Sequence, residues 1–288
     1  MELPVVTVIC LCYNQGRFVR EAIDSVLKQT YPRVQLIVVD DASTDHSVEV
    51  IRECVEENPE IKFLPLPVNV GNCRAFNIGL SHAAGDFIID LAADDVLLPE
   101  RIAQGVKDLD GAGSDFGVNF TDALWINEAG EFLRKHSDRF PHESVPTGDI
   151  YRDIIARFFI CSPTMMFRRE VIQSLNGYDE SLAYEDFDFL IRSSRKYKYH
   201  YSPKVSVKKR VVNNSMSKKQ FSYFSSQLKS TFIICEKILA LNRSSEEQRA
   251  LSKRILYEMR VCLKLFHFPL LCRYAKLYVR NSGMRFPG

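Results

Sequence analysis

Apolar and polar positions along this 288-residue chain change period at regular intervals. Val5 to Cys12 is a near-continuous apolar run, the pattern of a covered strand. Tyr13-Asn14-Gln15-Gly16 is a turn signal. From Arg17 the period lengthens, and Phe18, Ala22, Ile23, Val26 and Leu27 share one helical stripe that must end before Pro32. Gln35 to Val39 predicts a second strand. Val48, Ile51, Cys54 and Val55 predict a second helix, with Ser43 or Thr44 as its cap. Ile61 to Leu66 gives a third strand, and Ala75, Ile78, Leu80 and Ala83 a third helix stopped by Gly85. Phe87 to Leu91 is the fourth strand. This alternation predicts an α/β domain with right-handed crossovers and a mostly parallel, Rossmann-like sheet flanked by helices.

Beyond Pro99 the pattern loosens. Ile102, Val106 and Leu109 predict a helix, and Phe116 to Trp125 a strand. Arg134 to Gly148, with two prolines, reads as a surface loop. A helical segment from Asp149 to Phe159, a strand from Met165 to Phe167 and a helix stop at Asn176-Gly177 follow. A helix then emerges from Glu185-Asp186-Phe187-Asp188, and Tyr197 to Val212 is β-rich and basic. Phe221, Phe224, Leu228, Phe232, Cys235, Ile238 and Leu239 keep a helical period. Ser244 with Glu247 matches a capping box, ahead of a second apolar stripe through Leu251, Ile255, Met259, Cys262, Leu263 and Phe266. Pro269 is expected to break that helix before a short basic and aromatic end.

Acidic residues collect where predicted strands finish. Asp40-Asp41 ends the second strand and Asp94-Asp95 follows the fourth. In a parallel sheet the ligand crevice lies at the carboxyl ends of the strands, so Tyr13 and these two pairs converge on one edge. Adjacent carboxylates repel; a solvated turn relieves this by exposure, a binding site by a cation.

Composition narrows the class. With 46% hydrophobic and 26% charged residues the chain can bury a large core. No apolar run reaches the ~18 residues of a membrane span, and the start reads as a strand rather than a signal peptide. Eight scattered cysteines without a CxxC suggest reduced, mostly buried thiols and a cytoplasmic setting. The net charge of +2 hides a division: 20 of 38 basic residues lie from Lys196 onward against four acids, so the two parts carry +16 and −14. Such asymmetry points to different partners for the two parts.

Together the segments VTVICLCYN, SVLKQTYP, LIVVDDASTD, NVGNCRAFNIGL, LAADDVLLPER and NGYDESLAYEDFDFLIR resemble the family-2 glycosyltransferases, inverting, nucleotide-sugar-dependent enzymes of the GT-A fold. The resemblance runs from about Val5 to Ser217. It implies a GT-A domain over residues 1–217, with a nucleotide-sugar-binding half (1–98) and an acceptor and catalytic half (99–217). A basic, amphipathic helical extension (218–288) follows. Carried over by position, Asp40 resembles the acid that accepts a hydrogen bond from the nucleotide base. Tyr13, with Asn14 beside it, packs near that base or is simply a half-buried core aromatic. Asp41, Asn69, Gly71, Arg74 and Asn77 match the segments lining the nucleotide, although a glycine at 71 also suits a plain turn. Asp94 would hold the ribose or a metal-bound water, and Asp95 would ligate Mg²⁺ or Mn²⁺.

Glu185-Asp186 resembles the family's ED motif, with Asp186 as general base on the acceptor hydroxyl and Glu185 in support. A helix N-terminus favouring acids would look the same. Two departures stand out: Ala92 replaces a further acid, and Val212 occupies the place of a histidine, leaving Arg210 and Lys209 to approach the diphosphate. The implied partners are a nucleotide-diphosphate sugar, a UDP-sugar foremost, and a glycan or lipid-linked acceptor. The basic extension adds an expected anionic membrane surface, whereas no nucleic-acid module is present. The rival reading is a nucleotide-sugar-binding regulatory or scaffold protein that has lost its chemistry.

Overall fold

The computed structural model describes residues 2–183, 185–212 and 225–283, apart from the side chain of Glu185. The chain divides into two compact units: Met1–Gly148 with Ile160–Glu180 and Tyr197–Val212, and Asp149–Phe159 with Ser181–Lys196 and Asn213–Gly288.

The first unit is built on a nine-stranded sheet. Strands β1 (Val6–Cys12), β2 (Val34–Asp40), β3 (Lys62–Pro65) and β4 (Phe87–Ala92) form its parallel half in the order β3-β2-β1-β4. Beyond β4 the sheet is mixed. Strand β8 (Met166–Arg168) pairs antiparallel with both β4 and β6 (Phe116–Ile126), and β9 (Lys198–Arg210) runs parallel to β6. The two-residue β5 (Val96–Leu97) pairs with β9, and β7 (Phe132–Lys135) with β6. The segment expected as a loop from Arg134 therefore begins inside a hairpin, because Asn127 and Gly130 close a tight turn between β6 and β7.

Strand alternation sorts the core. Val6, Val8, Cys10 and Cys12 join Leu36, Val38, Phe87, Ile89 and Leu91 on one face. Helices α1 (Val19–Leu27), α2 (Ser47–Glu57) and α4 (Arg101–Ala112) cover that face with Ala22, Ile23, Ile51, Cys54, Ile102 and Val106. On the other face α3 (Asn72–Ser81) approaches so closely that a Cβ on Gly79 would lie 2.6 Å from Ile9 Cγ2. Short helix α6 (Arg169–Gln173) follows β8. Arg101 is wholly buried, donating through Nη1 to Asn119 Oδ1 at 2.9 Å and through Nη2 to the Thr164 carbonyl at 2.7 Å. Burial pulls its pKa down to about 10.

The second unit is helical. Helices α5 (Tyr151–Ala156) and α7 (Glu185–Ser194) pack with α8 (Ser226–Leu241), α9 (Ser245–Lys264) and α10 (Phe268–Ser282). The expected boundary at residue 217 follows chain order, whereas packing groups α5 and α7 with the C-terminal helices. The reason is local: Arg254 donates to the Ile155 carbonyl at 3.0 Å and lies 4.7 Å from the Phe187 ring, and Lys237 meets the buried Asp188 at 2.6 Å. The capping box forms, with Ser244 Oγ accepting from the Glu247 N–H at 3.2 Å.

Two expectations are corrected here. The basic end is a third helix of 15 residues, since Pro269 lies in its first turn, where a missing N–H costs nothing. Leu263 and Phe266 do not share the buried stripe of Leu251, Ile255 and Cys262, because the helix reaches its C-cap at Leu265 and both side chains point to solvent. Phe221 and Phe224 lie outside the described residues.

Seven of the eight cysteines are buried and Cys272 is exposed. Burial raises the thiols of Cys10, Cys54 and Cys235, and pushes Cys12 to about 12 and Cys262 to about 11. A colorimetric thiol reagent at neutral pH should therefore label one cysteine rapidly in the native chain and all eight after denaturation. Cys272→Ser should abolish the fast phase.

Candidate functional site

Parallel register brings three segments to one edge. Cys12 pairs with Asp40, Asp40 with Pro65, and Leu11 with Ala92. The Asp41 N–H then donates to the Cys12 carbonyl and the Ala93 N–H to the Leu11 carbonyl, so the chain leaves β2 and β4 beside the end of β1.

The first acid pair separates into two roles. Asp40 is buried: Oδ2 accepts from the Ser43 N–H at 2.9 Å, while Oδ1, also buried, has no partner among the described residues. An orphaned carboxylate oxygen costs free energy unless a donor meets it, and a ligand N–H is such a donor. Asp41 instead receives the Val70 N–H at 2.7 Å on Oδ1 and the Gly71 N–H at 2.9 Å on Oδ2, and its carbonyl takes Asn69 Nδ2 at 3.1 Å. It thereby shapes the entry to α3, where Gly71 has φ +86. Asn14 acts similarly between loops, its side-chain oxygen accepting from the Thr44 N–H at 2.7 Å. Tyr13 is exposed at the same edge rather than part of the core.

Asn77 and Arg74 on α3 look toward the NGYDE segment. Asn77 Nδ2 donates to the Tyr178 carbonyl and to Glu180 Oε1, both at 3.0 Å, and its oxygen takes the Tyr178 N–H at 2.9 Å. Gly177, at φ +81, lies so close that a Cβ would stand 2.4 Å from Asn77 Oδ1. Tyr178 stacks on Phe76 and donates to Asp90 Oδ2 at 3.0 Å, and Arg74 reaches Glu180 at 3.9 Å on the surface.

The second pair sits in the turn between β4 and β5. Asp95 is 3% exposed and Oδ1 accepts the Arg210 N–H at 2.8 Å. Burial first, and then the Asp94 charge, push its pKa up to about 8, with Lys209 and Arg210 acting in the opposite direction. Burial also raises Asp94, which is less enclosed. Such a pair suits a divalent cation, whose charge would offset both the repulsion and the desolvation. Among the described residues no cluster of three His, Cys, Asp or Glu side chains is assembled, so the remaining ligands would come from phosphate or water oxygens.

Arg210 holds this turn. Its Nε donates to the Asp94 carbonyl at 3.0 Å, Nη1 to the carbonyls of Asn127 and Glu128, and Nη2 to Glu21, with the guanidinium 4.8 Å from the Phe18 ring. Lys209 lies 5.1 Å from the Trp125 ring, and Val212 follows where the histidine was expected.

The other expected residues lie in the second unit. Asp186 is half-buried in the first turn of α7, beside Glu185. Two residues on, Asp188 is closed off by Arg192 and Lys237, both at 2.6 Å. A cavity of about 250 Å³ in this unit is lined by Asp149, Tyr151, Arg152, Asp153, Ser244, Glu246 and Glu247 and contains none of the expected site residues. Ser43 and Thr44, expected as the cap of α2, lie ahead of a helix that begins at Ser47 with His46 at its N-cap, and Ser43 instead serves Asp40. Sequence reading missed Glu21, an ordinary surface type until the fold places it. It also missed Asp122, buried on β6 and accepting from Ser137 N–H and Oγ. A carboxylate in the apolar run Phe116–Ile126 was its signal.

The pattern of Glycosyl transferase family 2 matches residues 7–175, more than half of the chain. The chain belongs to this family. A relative, an uncharacterized glycosyltransferase of Methanocaldococcus jannaschii, is 28% identical over 234 residues, covering 78% of this chain and 79% of its own. Among solved structures, S. aureus TarS 1-349 in complex with UDP-GlcNAc superposes with a TM-score of 0.70 at 17% identity, covering 98% of this chain and 93% of that one. The mannosyltransferase PcManGT of Pyrobaculum calidifontis, in complex with GDP-Man and Mn²⁺, gives 0.67 at 20% identity, covering all of this chain and 77% of that one. The likeness establishes the GT-A fold, with its C-terminal helices, for this glycosyltransferase.

Replacing Arg210 by Lys should cost the family-2 domain about 2 kcal/mol, since a point charge cannot serve the planar set of carbonyl acceptors and leaves some buried and unpaired. Urea denaturation of the two proteins measures the difference.

Proposed function

We propose that this chain transfers a sugar from a nucleotide-diphosphate donor, foremost a UDP-sugar, to a hydroxyl of a glycan or lipid-linked acceptor, with inversion at the anomeric carbon. The observation that carries the reading is the unpartnered, buried Oδ1 of Asp40 at the β-edge. A uracil N3–H offers the donor such an oxygen requires. Support for the donor class comes from the UDP-GlcNAc bound by TarS and the GDP-Man bound by PcManGT.

In this reading Asp41, Asn14 and Asn77 position loops, while Tyr13 flanks the base and Asn69, Gly71 and Arg74 border it. Asp94 takes the ribose, and Asp94 with Asp95 would hold Mg²⁺ or Mn²⁺. The cation would neutralise charge on the diphosphate as it leaves. Arg210 supports the carboxylate turn rather than reaching for phosphate, given its protein acceptors. Asp186 removes the proton from the acceptor hydroxyl as that oxygen attacks, with Glu185 beside it; direct displacement needs no covalent enzyme intermediate. The Mn²⁺ bound by PcManGT supports cation use. No helix among the described residues is long and apolar enough to cross a membrane. Enrichment of the C-terminal region in Lys and Arg supports peripheral attachment at an anionic, cytosolic membrane face, where a lipid-linked acceptor for polysaccharide assembly would be presented.

Asp186→Asn should lower turnover by about 10²–10⁴-fold and leave nucleotide affinity unchanged, read by chromatographic donor turnover and calorimetry. Normal turnover in that variant would remove Asp186 from the base role. Turnover of no donor by the unaltered chain, with nucleotide binding intact, would instead favour the binding-protein reading.

A thermal-shift series with UDP, GDP and dTDP, each with and without Mn²⁺, should show the largest rise for UDP with Mn²⁺. Asp40→Asn should weaken the preferred nucleotide by about tenfold or more, because an amide cannot accept at both oxygen positions. An equal shift for all three nucleotides would sink the role given to Asp40.

A further inference from the structure

Helix α9 has one buried apolar face and one exposed face that mixes apolar and basic side chains. One packs inside the second unit through Leu251, Ile255 and Cys262. The other carries Arg249, Lys253, Leu256, Tyr257, Arg260, Leu263 and Lys264, all exposed. At 100° per residue these positions fall within a sector of roughly 120°. One acid shares the sector, Glu246 in the first turn, which pairs with Arg152 at 3.3 Å. From Gln248 to Gly283 Glu258 is the sole carboxylate, and it is buried against Arg254.

The turn that follows exposes two aromatic rings. Phe266 is 72% exposed and Phe268 56%, their centroids 6.4 Å apart. The helix ends in a Schellman arrangement, with the Phe266 N–H donating to the Leu263 carbonyl and the His267 N–H to the Cys262 carbonyl. Its left-handed position, φ +55, is the one glycine normally fills, and here it is held by a phenylalanine whose ring meets solvent. Helix α10 adds exposed Arg273, Lys276 and Arg280, the last 3.8 Å from Glu236.

We infer that this face docks on an anionic lipid bilayer, with Phe266 and Phe268 entering the headgroup region and Lys253, Arg260 and Lys264 meeting lipid phosphates. Charge chooses this occupant. A second copy would bring the same net-basic face against itself, four cations against one acid already paired with Arg152, and a soluble polyanion would leave the leucines and aromatic rings in water, whereas lipid answers both. The inference rests on the proposed function for its purpose, to hold the enzyme at a membrane-borne acceptor. Lipid binding itself is independent of donor chemistry.

The test uses the full chain with phosphatidylcholine vesicles, with and without phosphatidylglycerol, in a flotation assay. Binding should require phosphatidylglycerol and weaken with added salt. Lys253→Gln, Arg260→Gln and Lys264→Gln combined should reduce it by roughly a hundredfold. Phe266→Gly with Phe268→Ser should reduce it by about tenfold or more; glycine suits the backbone at 266, so unchanged circular dichroism and melting are expected. Both variants should keep the nucleotide thermal shift and turnover of a water-soluble acceptor, so loss of vesicle binding is separable from failure of the glycosyltransfer reading. Absence of a phosphatidylglycerol preference, or equal vesicle binding by the variants, overturns the inference. So does a dimer that becomes monomeric in Phe266→Gly/Phe268→Ser, because the face would then belong to a second copy.

Discussion

The parallel pairing of β1 with both β2 and β4 is the constraint on which the edge carrying Tyr13, Asp40 and Asp94 depends. Once Cys12 lies opposite Asp40 and Leu11 opposite Ala92, the turns after all three strands must leave the sheet together. A one-residue slip would turn every side chain to the opposite face and bury the wrong set. The alternation of Val6, Val8, Cys10 and Cys12 into the helix-covered core therefore fixes more than packing: it holds Asp40 where Oδ2 meets Ser43 and Oδ1 meets no protein donor among the described residues.

Each acidic motif divides its labour in the same way. Asp41 is saturated by the backbone of the next helix while Asp40 keeps an unmatched oxygen. Asp188 is neutralised by Arg192 and Lys237, whereas Asp186 stands nearer solvent. In the turn after β4, Arg210 supplies its backbone N–H to Asp95 and its side chain to the Asp94 carbonyl. That clamp holds two repelling carboxylates in place where burial alone would favour their protonation. Asp41 and Asp188 thus serve the scaffold through their own partners, while Asp40 keeps an oxygen without one.

The helical unit depends on a different balance. Its interior accepts charge only where partners are close, as Arg254 does with Glu258, the Ile155 carbonyl and the Phe187 ring. Its outside keeps large apolar groups beside lysines and arginines that outnumber the acids there, Glu236 and Glu246 meeting Arg280 and Arg152. A solvated surface needs only the charges; the exposed leucines and rings beside them are what the lipid-docking proposal accounts for.

Sequence alone determined the alternation of strands and helices through Phe87–Ala92, the placing of acids at strand ends and the charge division, because periodicity and turn chemistry are local. Periodicity and turn chemistry did not separate Asp40 from Asp41 or Asp186 from Asp188, since neighbours of one residue type carry the same local signal; only the family resemblance singled out Asp40 and Asp186, and it did not show how Asp41 and Asp188 are partnered. Sequence pattern assigned Leu263 and Phe266 to the core because helical spacing says which residues share a face, not which face is covered. It took Pro269 for an end when it opens a helix. Tertiary structure decided these questions through contacts far apart in the chain: Arg210 reaches Asp95 across 115 residues, and Asn77 meets Tyr178 across 101. Long-range partners decide whether a buried polar atom is satisfied, and that satisfaction distinguishes the acids that hold the fold from those left for a ligand.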